Sequence, residues 1–182
     1  MILISKCLLN KNNQYQTNNN YLACLAKLYD PRVFYALCPA KLANLPTMPT
    51  VELRLNYPRY KGKRVLVDDS GRTWLNAESL EEVWLKRLVV NYDIKVAILK
   101  DDSPSCGVHK IYDGHFDGVR CSGMGIATSI LQSAGVKCYA EQDLSQMELK
   151  NLIVQELQRQ MCRERVNCRC AEDAADEGDY SI

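Results

Sequence analysis

Residues 94–107 read IKVAILKDDSPSCG, a short apolar run that ends in a polar loop carrying one cysteine. A run of about four to eight apolar residues bounded by turn-forming residues is typical of a buried strand, so residues 94–99 give the clearest strand signal in the chain. The loop that follows places two serines, a proline and a glycine around Cys106, and such residues allow the backbone to approach a ligand closely. This segment therefore predicts a buried strand that delivers a thiol to its carboxyl end.

Two more short apolar runs end at a cysteine. Residues 2–5 lead to Cys7, and residues 33–37 lead directly to Cys38. Predicted elements alternate along residues 1–140, with strands at 2–4, 33–37, 65–67, 94–99 and 136–139 and helices at 20–28, 77–91 and 126–133. The alternation predicts an α/β fold, with a mainly parallel sheet covered by helices on both faces. Ligands of such sheets gather at the carboxyl ends of the strands, so the three cysteines are expected to converge.

The remaining segments have less regular patterns. Residues 39–64 contain four of the six prolines and predict an irregular excursion, whereas two Asp-Gly pairs within residues 111–119 predict a small hairpin or paired turns. In the helix at 77–91 we expect one apolar side, formed by Leu80, Val83, Trp84, Leu85 and Leu88. Residues 145–166 predict an amphipathic C-terminal helix, followed by a mobile acidic tail. We therefore expect an α/β domain over residues 1–144 and a C-terminal extension over residues 145–182.

Composition excludes several classes of protein. The chain has 182 residues, of which 47% are hydrophobic and 25% charged, so it is neither disordered nor fibrous. Lys and Arg number 23 against 22 Asp and Glu, and this balance leaves no global charge to attract nucleic acid or a membrane surface. Only Arg54 to Arg64 is locally basic, with five positive charges and two tyrosines. One interpretation is that this segment contacts RNA or phosphate groups. The interpretation that we favour is a solvated loop whose tyrosines pack against the core.

The nine cysteines indicate a reducing compartment. They are 9 of 182 residues, about 5%, which is below the roughly 8–10% of disulfide scaffolds, and their number is odd. The first residues lack the pattern of a secretory signal, and no apolar run approaches the roughly 18 residues of a membrane span. We therefore expect a soluble cytoplasmic protein, without a membrane partner, whose thiols stay free for metal binding or chemistry.

Spacing alone leaves the role of the cysteines open. Three thiolates on neighbouring loops can hold an iron–sulfur cluster or zinc, because both select sulfur ligands, but buried cysteines are also common as small inert hydrophobes. We interpret Cys24, Cys121 and Cys138 as inert thiols because each lies in or beside an apolar segment. The last three cysteines of the chain are Cys162, Cys168 and Cys170. They form a second metal or redox site, or they are exposed thiols that are prone to oxidation. His109 and His115 flank the turn at 112–114, and a histidine in a loop is more often a surface residue than a ligand. His109 is three residues from Cys106, so its alternative role is a contact with the open site.

Five short motifs together resemble the thiouracil desulfidase (TudS) family, formerly a domain of unknown function. They are ISKCLL at 4–9, CP at 38–39 followed by LPT at 45–47 and Glu52, ILK at 98–100, SPSCG at 103–107 and IYDG at 111–114. The resemblance covers about residues 1–144, and its last segment is the most specific. It implies a Rossmann-like α/β domain that holds a [4Fe–4S] cluster by only three cysteines, which in this chain are Cys7, Cys38 and Cys106.

The resemblance also implies an activity. The fourth iron of the cluster would take the sulfur of a thiolated pyrimidine base, nucleoside or nucleotide, and water would replace that sulfur with oxygen. A reaction of this kind needs groups that position water and move protons, and the candidates are Ser103 and Glu52. The plain alternatives are a turn serine and a surface glutamate.

Departures from the family pattern keep two other functions open. The family usually shows an acid after Cys-Pro and then a glycine pair, whereas this chain has Ala40 followed by Ala43 and Asn44. The first alternative is a redox or sulfur-carrying module that keeps the cluster without desulfidase activity. The second is a structural protein with three buried cysteines.

Overall fold

The computed structural model describes the backbone of residues 1–9, 27–42, 51–54, 65–74 and 77–176. Within these ranges, the side chains of residues 74, 77–80 and 166–176 are not described. The chain forms two compact units, Met1–Ser145 and Gln146–Ile182. The strands are β1 Ile2–Ser5, β2 Phe34–Leu37, β3 Val51–Arg54, β4 Val65–Asp68, β5 Thr73–Trp74, β6 Val96–Leu99, β7 Lys110–Tyr112, β8 Arg120–Ser122 and β9 Lys137–Ala140. The helices are α1 Pro39–Leu42, α2 Ala77–Asn91, α3 Ile126–Ser133 and α4 Gln146–Asp176, and a 3₁₀ turn spans Lys6–Leu9.

A four-stranded parallel sheet forms the centre of the first unit, in the order β2-β1-β6-β9. In the register of the sheet, Ile4 lies beside Ala36 of β2 and Ile98 of β6. All four residues of β1 are buried, as expected for a continuous apolar run in a parallel sheet whose faces are covered. The predicted Rossmann-like α/β fold is confirmed, and strands 33–37, 94–99 and 136–139 are found within one or two residues of their predicted bounds.

The segment predicted as an irregular excursion contains regular structure, so that prediction is wrong for its described residues. Pro39 is the first residue of α1, a position that proline tolerates because the backbone N–H there has no partner within the helix. Strand β3 lies between the prolines at 49 and 58 and contains none itself, so all its N–H groups can pair. It joins β4 and β5 in a three-stranded antiparallel sheet, with Glu52 opposite Val67.

Helix α2 begins and ends where the sequence predicts, and its predicted apolar side is confirmed only in part. Val83 and Trp84 were expected on the apolar side, yet they are 51% and 49% exposed. Leu85 is fully buried, and so is Glu81, one turn earlier on the same face. Leu85 and Leu88 therefore belong to the buried side as predicted, whereas Val83 and Trp84 do not, and the side chain of Leu80 lies outside the described residues. Part of the buried face is taken instead by Glu81, which makes a polar contact described below.

The last elements of the first unit follow the predicted pattern. Strands β7 and β8 form an antiparallel hairpin, whose connecting turns use Gly114 and Gly118 at φ +88° and +81°. Helix α3 has its predicted bounds, and Gly135 follows its end at φ +79°, a conformation that favours glycine.

Of the helix predicted near the start of the chain, at residues 20–28, only residues 27 and 28 are described, and both are helical.

The second unit is built on α4, which is longer than predicted. The helix continues through residues 168–176, where we expected a mobile acidic tail. No glycine or proline interrupts the chain between Gln146 and Asp176, so nothing in the sequence ends the helix at the cysteines. Within this helix, Glu156 accepts hydrogen bonds from Arg159 and Gln160. Among the described residues, no helix has the length and apolar character needed to cross a membrane.

Candidate functional site

The three cysteines lie at one edge of the parallel sheet. Cys7 is in the 3₁₀ turn directly after β1, Cys38 lies between β2 and α1, and Cys106 is in the loop after β6. Strands β2, β1 and β6 are adjacent and parallel, so their carboxyl ends meet. The chain places β2 on one side of β1 and β6 on the other, and such a change of direction opens a crevice between the two loops that leave β1 and β6. Cys7 and Cys106 each lie in one of these two loops.

Electrostatic coupling among the thiols indicates that they lie near one another. Burial raises the pKa of Cys7 to about 11, and the neighbouring Cys38 adds to that increase. Burial also raises the pKa of Cys106 far above that of an ordinary thiol, and Cys7 and Cys38 both contribute. Within the described residues, no three His, Cys, Asp or Glu side chains are placed to hold one metal ion. In an iron–sulfur cluster each thiolate binds a different iron, so the three sulfur atoms lie farther apart than those that bind one metal ion.

Asp101 organises the loop that carries Cys106. One carboxylate oxygen accepts the backbone N–H groups of Val108, His109 and Lys110, at 2.8, 3.0 and 3.2 Å, and the other accepts the side-chain amide of Gln142 at 2.8 Å. Burial by itself would raise the pKa of Asp101, but these donors outweigh it and hold the pKa below its ordinary value. The charged carboxylate therefore closes the loop around the thiol.

Helix α3 fixes the same loop from the other side. The N–H groups of Ile126 and Ala127 donate to the carbonyl oxygens of Pro104 and Ser105, and the Thr128 hydroxyl donates to the carbonyl oxygen of Cys106 at 2.9 Å. The N-terminal N–H groups of a helix have no partners within the helix, so the loop carbonyls satisfy them. This contact sets the position of Cys106 relative to the sheet.

Ser103 lies in the Cys106 loop, as the sequence predicts. Its Oγ accepts the backbone N–H of Cys106 at 3.1 Å. A serine hydroxyl also has one proton to donate, and among the described residues no group accepts that of Ser103.

Glu52 is buried, which excludes the surface position that we considered for it. Its side chain is 7% exposed, and its Oε2 accepts the N–H groups of Gly114 and Phe116, both at 3.1 Å. Among the described residues, these contacts join Glu52 to the β7–β8 turn rather than to a cysteine. Glu52 therefore holds the turn that carries the IYDG motif.

Two charged residues at this edge were not predicted as part of the site. Glu141 directly follows β9, the fourth parallel strand, and its Oε1 forms an ion pair with Lys100 Nζ. Its Oε2 accepts the backbone N–H of Asp101 at 2.6 Å. Lys100 lowers and Glu141 raises the pKa of Cys7, so both charges are near that thiol. The sequence could have indicated both residues by their position, because each is the first residue after a strand of the parallel sheet.

Glu81 is a second carboxylate that the sequence reasoning missed. It is fully buried, and the hydroxyl of Ser105 donates to its Oε1 at 3.0 Å. Glu81 contributes to the raised pKa of Cys106, so it is near that thiol. Helical spacing gave no sign of it, because the prediction assigned the buried face of α2 to apolar residues alone.

The other candidates of the sequence analysis lie elsewhere. His109 Nε2 is 2.8 Å from Asp143 Oδ2, and His115 Nδ1 is 3.1 Å from Asp113 Oδ1. Cys138 is half-buried, and burial raises its pKa to about 12, in keeping with an inert thiol; Cys121 is half-buried too. Cys162 is exposed on α4. Cys24, residues 55–64 of the basic segment and the side chains of Cys168 and Cys170 lie outside the described residues.

A family model described as 2-thiouracil desulfurase matches residues 2–143. The chain belongs to the 2-thiouracil desulfurase family. It is 28% identical over 160 residues to the uncharacterized protein YbbK of Bacillus subtilis (strain 168), an alignment that covers 80% of this chain and 98% of the relative. It also matches the solved structure of a [4Fe-4S]-dependent thiouracil desulfidase, TudS, with 28% identity and a TM-score of 0.62 over 79% of this chain and 91% of the other.

The family match coincides with the part of the chain that carries the site. Residues 2–143 of the desulfurase family model include all three strand-end cysteines, Ser103, Glu52 and the Lys100–Glu141 pair. The match ends before α4 begins at Gln146. The residues that converge at the sheet edge are therefore those of the family domain.

Proposed function

We propose that this protein is an iron–sulfur enzyme that replaces sulfur with oxygen on a thiolated pyrimidine base, nucleoside or nucleotide and releases the sulfur as sulfide. The observation that carries the proposal is the convergence of Cys7, Cys38 and Cys106 at the carboxyl edge of three adjacent parallel strands. Membership in the 2-thiouracil desulfurase family and similarity to a [4Fe-4S]-dependent thiouracil desulfidase support it.

The donor set fits the cluster in kind and in number. The proposed ligands are the three thiolates, since sulfur donors are the usual ligands of iron–sulfur clusters. A [4Fe–4S] cluster held by these three cysteines would keep one iron without a protein ligand, and such an iron would supply Lewis acidity toward a thiocarbonyl sulfur. Cys106 is buried and Cys7 and Cys38 are half-buried, so the proposed site is partly shielded from bulk water.

Two residues of this chain are the proposed proton-handling groups. In the overall reaction water gives its oxygen to carbon, both of its protons leave with the sulfur as H₂S, and no net electron transfer occurs. The O–H of Ser103, which no described residue accepts, is proposed to donate a hydrogen bond to the substrate or to water while its oxygen stays bound to the loop. The Glu52 carboxylate has acceptor capacity beyond its two backbone contacts and is proposed to take a proton from water.

Iron analysis of anaerobically reconstituted protein tests the ligand set. The wild-type protein is expected to hold about four iron and four sulfide per chain, and Cys106→Ala to lose most of both. Cys138→Ala is the matched control, because it removes a half-buried thiol from the neighbouring strand β9 and is expected to keep full iron content. Equal iron content in wild type and Cys106→Ala would remove Cys106 from the site.

A desulfidation assay tests the reaction itself. The reconstituted wild type is expected to release sulfide from thiouracils or thiouridines, and Ser103→Ala is expected to slow release by about 10²-fold or more while retaining iron. A protein that holds the cluster but releases no sulfide from any of them would instead be the redox or sulfur-carrying module. The family usually has an acid where this chain has Ala40, and the Ala40 side chain packs against the hydrophobic core. Proton transfer in the proposed reaction therefore has no carboxylate from this position.

A further inference from the structure

We propose that Glu81 positions Cys106 for cluster binding by holding the hydroxyl group of Ser105, the residue before that cysteine. This inference rests on the proposed function, because it assumes that Cys106 binds iron. Glu81 touches neither the substrate nor the cluster in this proposal. It acts through Ser105, so it is a positioning residue that ties helix α2 to the site.

The burial of Glu81 is the first observation. Helix α2 has two neighbouring glutamates in opposite environments: Glu81 is fully buried, whereas the side chain of Glu82 is 47% exposed and pairs with Lys86 at 2.6 Å. Moving a carboxylate out of water is costly unless the protein supplies hydrogen-bond donors. Glu82 has the environment expected of a charge on a helix surface, so the burial of Glu81 needs a compensating contact inside the protein.

The partner of Glu81 is the second observation. The Ser105 hydroxyl donates to Glu81 Oε1 at 3.0 Å, and Ser105 is only 1% exposed. A hydroxyl buried to this extent needs a partner within the protein, and a hydrogen bond to a carboxylate is stronger than one between neutral groups. The contact joins α2 to a residue 24 positions farther along the chain.

The fixed surroundings of Ser105 and Cys106 are the third observation. The carbonyl oxygen of Ser105 accepts the N–H of Ala127 at 2.9 Å, so α3 fixes the backbone of this serine while α2 fixes its side chain. Both backbone polar groups of Cys106 are also bonded, because its N–H donates to Ser103 and its carbonyl oxygen accepts from Thr128. Consecutive residues share a planar peptide unit, so the orientation of Ser105 is passed directly to Cys106.

A contact of this kind has two consequences for metal binding. Groups that orient a metal ligand without binding the metal typically change metal affinity about 10- to 100-fold when they are lost. Removing only one member of a buried pair also leaves the other without this hydrogen bond, which costs more than replacing both by apolar groups. Loss of either side chain should therefore displace Cys106, and loss of both should do no further harm.

The test compares variants of the full chain after anaerobic reconstitution. Glu81→Leu removes the acceptor, Ser105→Ala removes the donor, and the double variant removes both. Glu81→Gln keeps an acceptor oxygen, and Glu82→Gln is the matched control on the helix surface. The measurements are the rate of iron loss to a chelator, the electron paramagnetic resonance spectrum of the reduced cluster, and the unfolding temperature of the apoprotein.

We expect Glu81→Leu and Ser105→Ala each to lose iron at least about 10-fold faster than wild type and to have an altered resonance spectrum, because the ligating sulfur is displaced. The double variant should lose iron no faster than the faster of the two single variants. Glu81→Gln should lie between wild type and Glu81→Leu, because a neutral acceptor binds the hydroxyl more weakly than a carboxylate does. Glu82→Gln should match wild type in its rate of iron loss and in its spectrum.

Two outcomes would overturn the inference. The first is wild-type iron loss and spectrum in both single variants, even with lower unfolding temperatures, because the pair would then serve stability alone. The second is an additive effect in the double variant, because the two side chains would then act independently. If the single variants do not fold, Glu81→Gln decides: faster iron loss than in Glu82→Gln supports the inference, and an equal rate overturns it.

Failure of the proposed function would be a distinct result. A wild type that binds no iron after reconstitution would refute the proposed function and this inference together. A wild type that binds iron as stably as both single variants would refute this inference alone.

Discussion

Asp101 shows how a single side chain holds the candidate site in shape. Its carboxylate binds three consecutive backbone N–H groups on the far side of the Cys106 loop and the amide of Gln142. Hydrogen bonds to a charged group contribute more to stability than those between neutral groups, about 1.5–3 kcal/mol each before other losses are counted. The loop therefore depends on the ionised state of Asp101.

The substitution Asp101→Asn tests this dependence. It should reduce the free energy of unfolding of the apoprotein by about 1–3 kcal/mol at pH 7, because the neutral amide accepts the same N–H groups more weakly. Since the pKa of Asp101 is lowered in the folded state, its contribution is complete above the unfolded pKa and is lost as the pH falls through the folded value. Urea unfolding at pH 7 and near pH 3 measures both effects, and the difference between wild type and variant should shrink at the lower pH.

A matched control for this substitution is Asp117→Asn. Asp117 is exposed and accepts one backbone N–H, from Val119 at 3.0 Å, so its loss should change the unfolding free energy by less than about 0.5 kcal/mol. A difference between wild type and Asp101→Asn that stays the same from pH 7 to pH 3 would argue against the charged carboxylate as the cause.

At this scale the sequence predicts some site residues and not others. Cys7, Cys38 and Cys106 were chosen because each follows an apolar run, and strand ends can be read from such local patterns. Glu81 was missed because its burial comes from a partner 24 residues away, the hydroxyl of Ser105. Contacts of this kind depend on how α2 rotates against the loop, and no local pattern encodes that rotation.

At the scale of elements, α3 and the Cys106 loop act as one structure. Gly125, the residue before α3, is so close to the loop that an added Cβ would lie 2.3 Å from the carbonyl oxygen of Ser105 and 2.8 Å from Cys106 N. Its φ of −65° is one that any residue can adopt. Glycine is required there for space and not for backbone conformation.

The substitution Gly125→Ala should therefore displace the loop. We expect a loss of about 1–3 kcal/mol of unfolding free energy, as for other substitutions that overfill a packed site, and a fall in reconstituted iron content. Gly135→Ala is the control, because it meets no atom within 4 Å and is disfavoured only by its φ of +79°, at a cost of about 1–2 kcal/mol. Chemical unfolding and iron analysis of both variants separate the effects, and full iron content in Gly125→Ala would show that the helix and the loop are not coupled.

Prediction at the scale of elements succeeded where the signals are local. The bounds of α2 and α3 follow from helical spacing and from turn residues beyond their ends, and both were predicted correctly. Strand β3 was missed because the surrounding prolines suggested irregular structure over the whole of residues 39–64. Its formation depends on pairing with β4, and pairing between segments distant in sequence is invisible to local pattern.

At the scale of the whole molecule, the parallel sheet gathers residues that are far apart in the chain. Cys7, Cys38, Cys106 and Glu141 each follow one of its four strands, so the sheet order alone brings them to one edge. All four lie in the unit Met1–Ser145, whereas Cys162, Cys168 and Cys170 belong to the unit Gln146–Ile182. The proposed ligand set is thus complete within the first unit.

Replacing Cys162, Cys168 and Cys170 together with serine tests whether the second unit holds a metal site of its own. Iron and sulfide content should stay at the wild-type level, because a cluster bound by the three strand-end cysteines needs no thiol from α4. Titration of the unfolded protein with a thiol reagent, which should find three fewer thiols than in wild type, checks that the substitutions are present. A loss of about half of the bound iron, or of bound zinc, would place a second site in α4. If iron is instead unchanged and the variant forms fewer disulfide-linked species in air, these cysteines are oxidation-prone thiols, which the exposure of Cys162 favours.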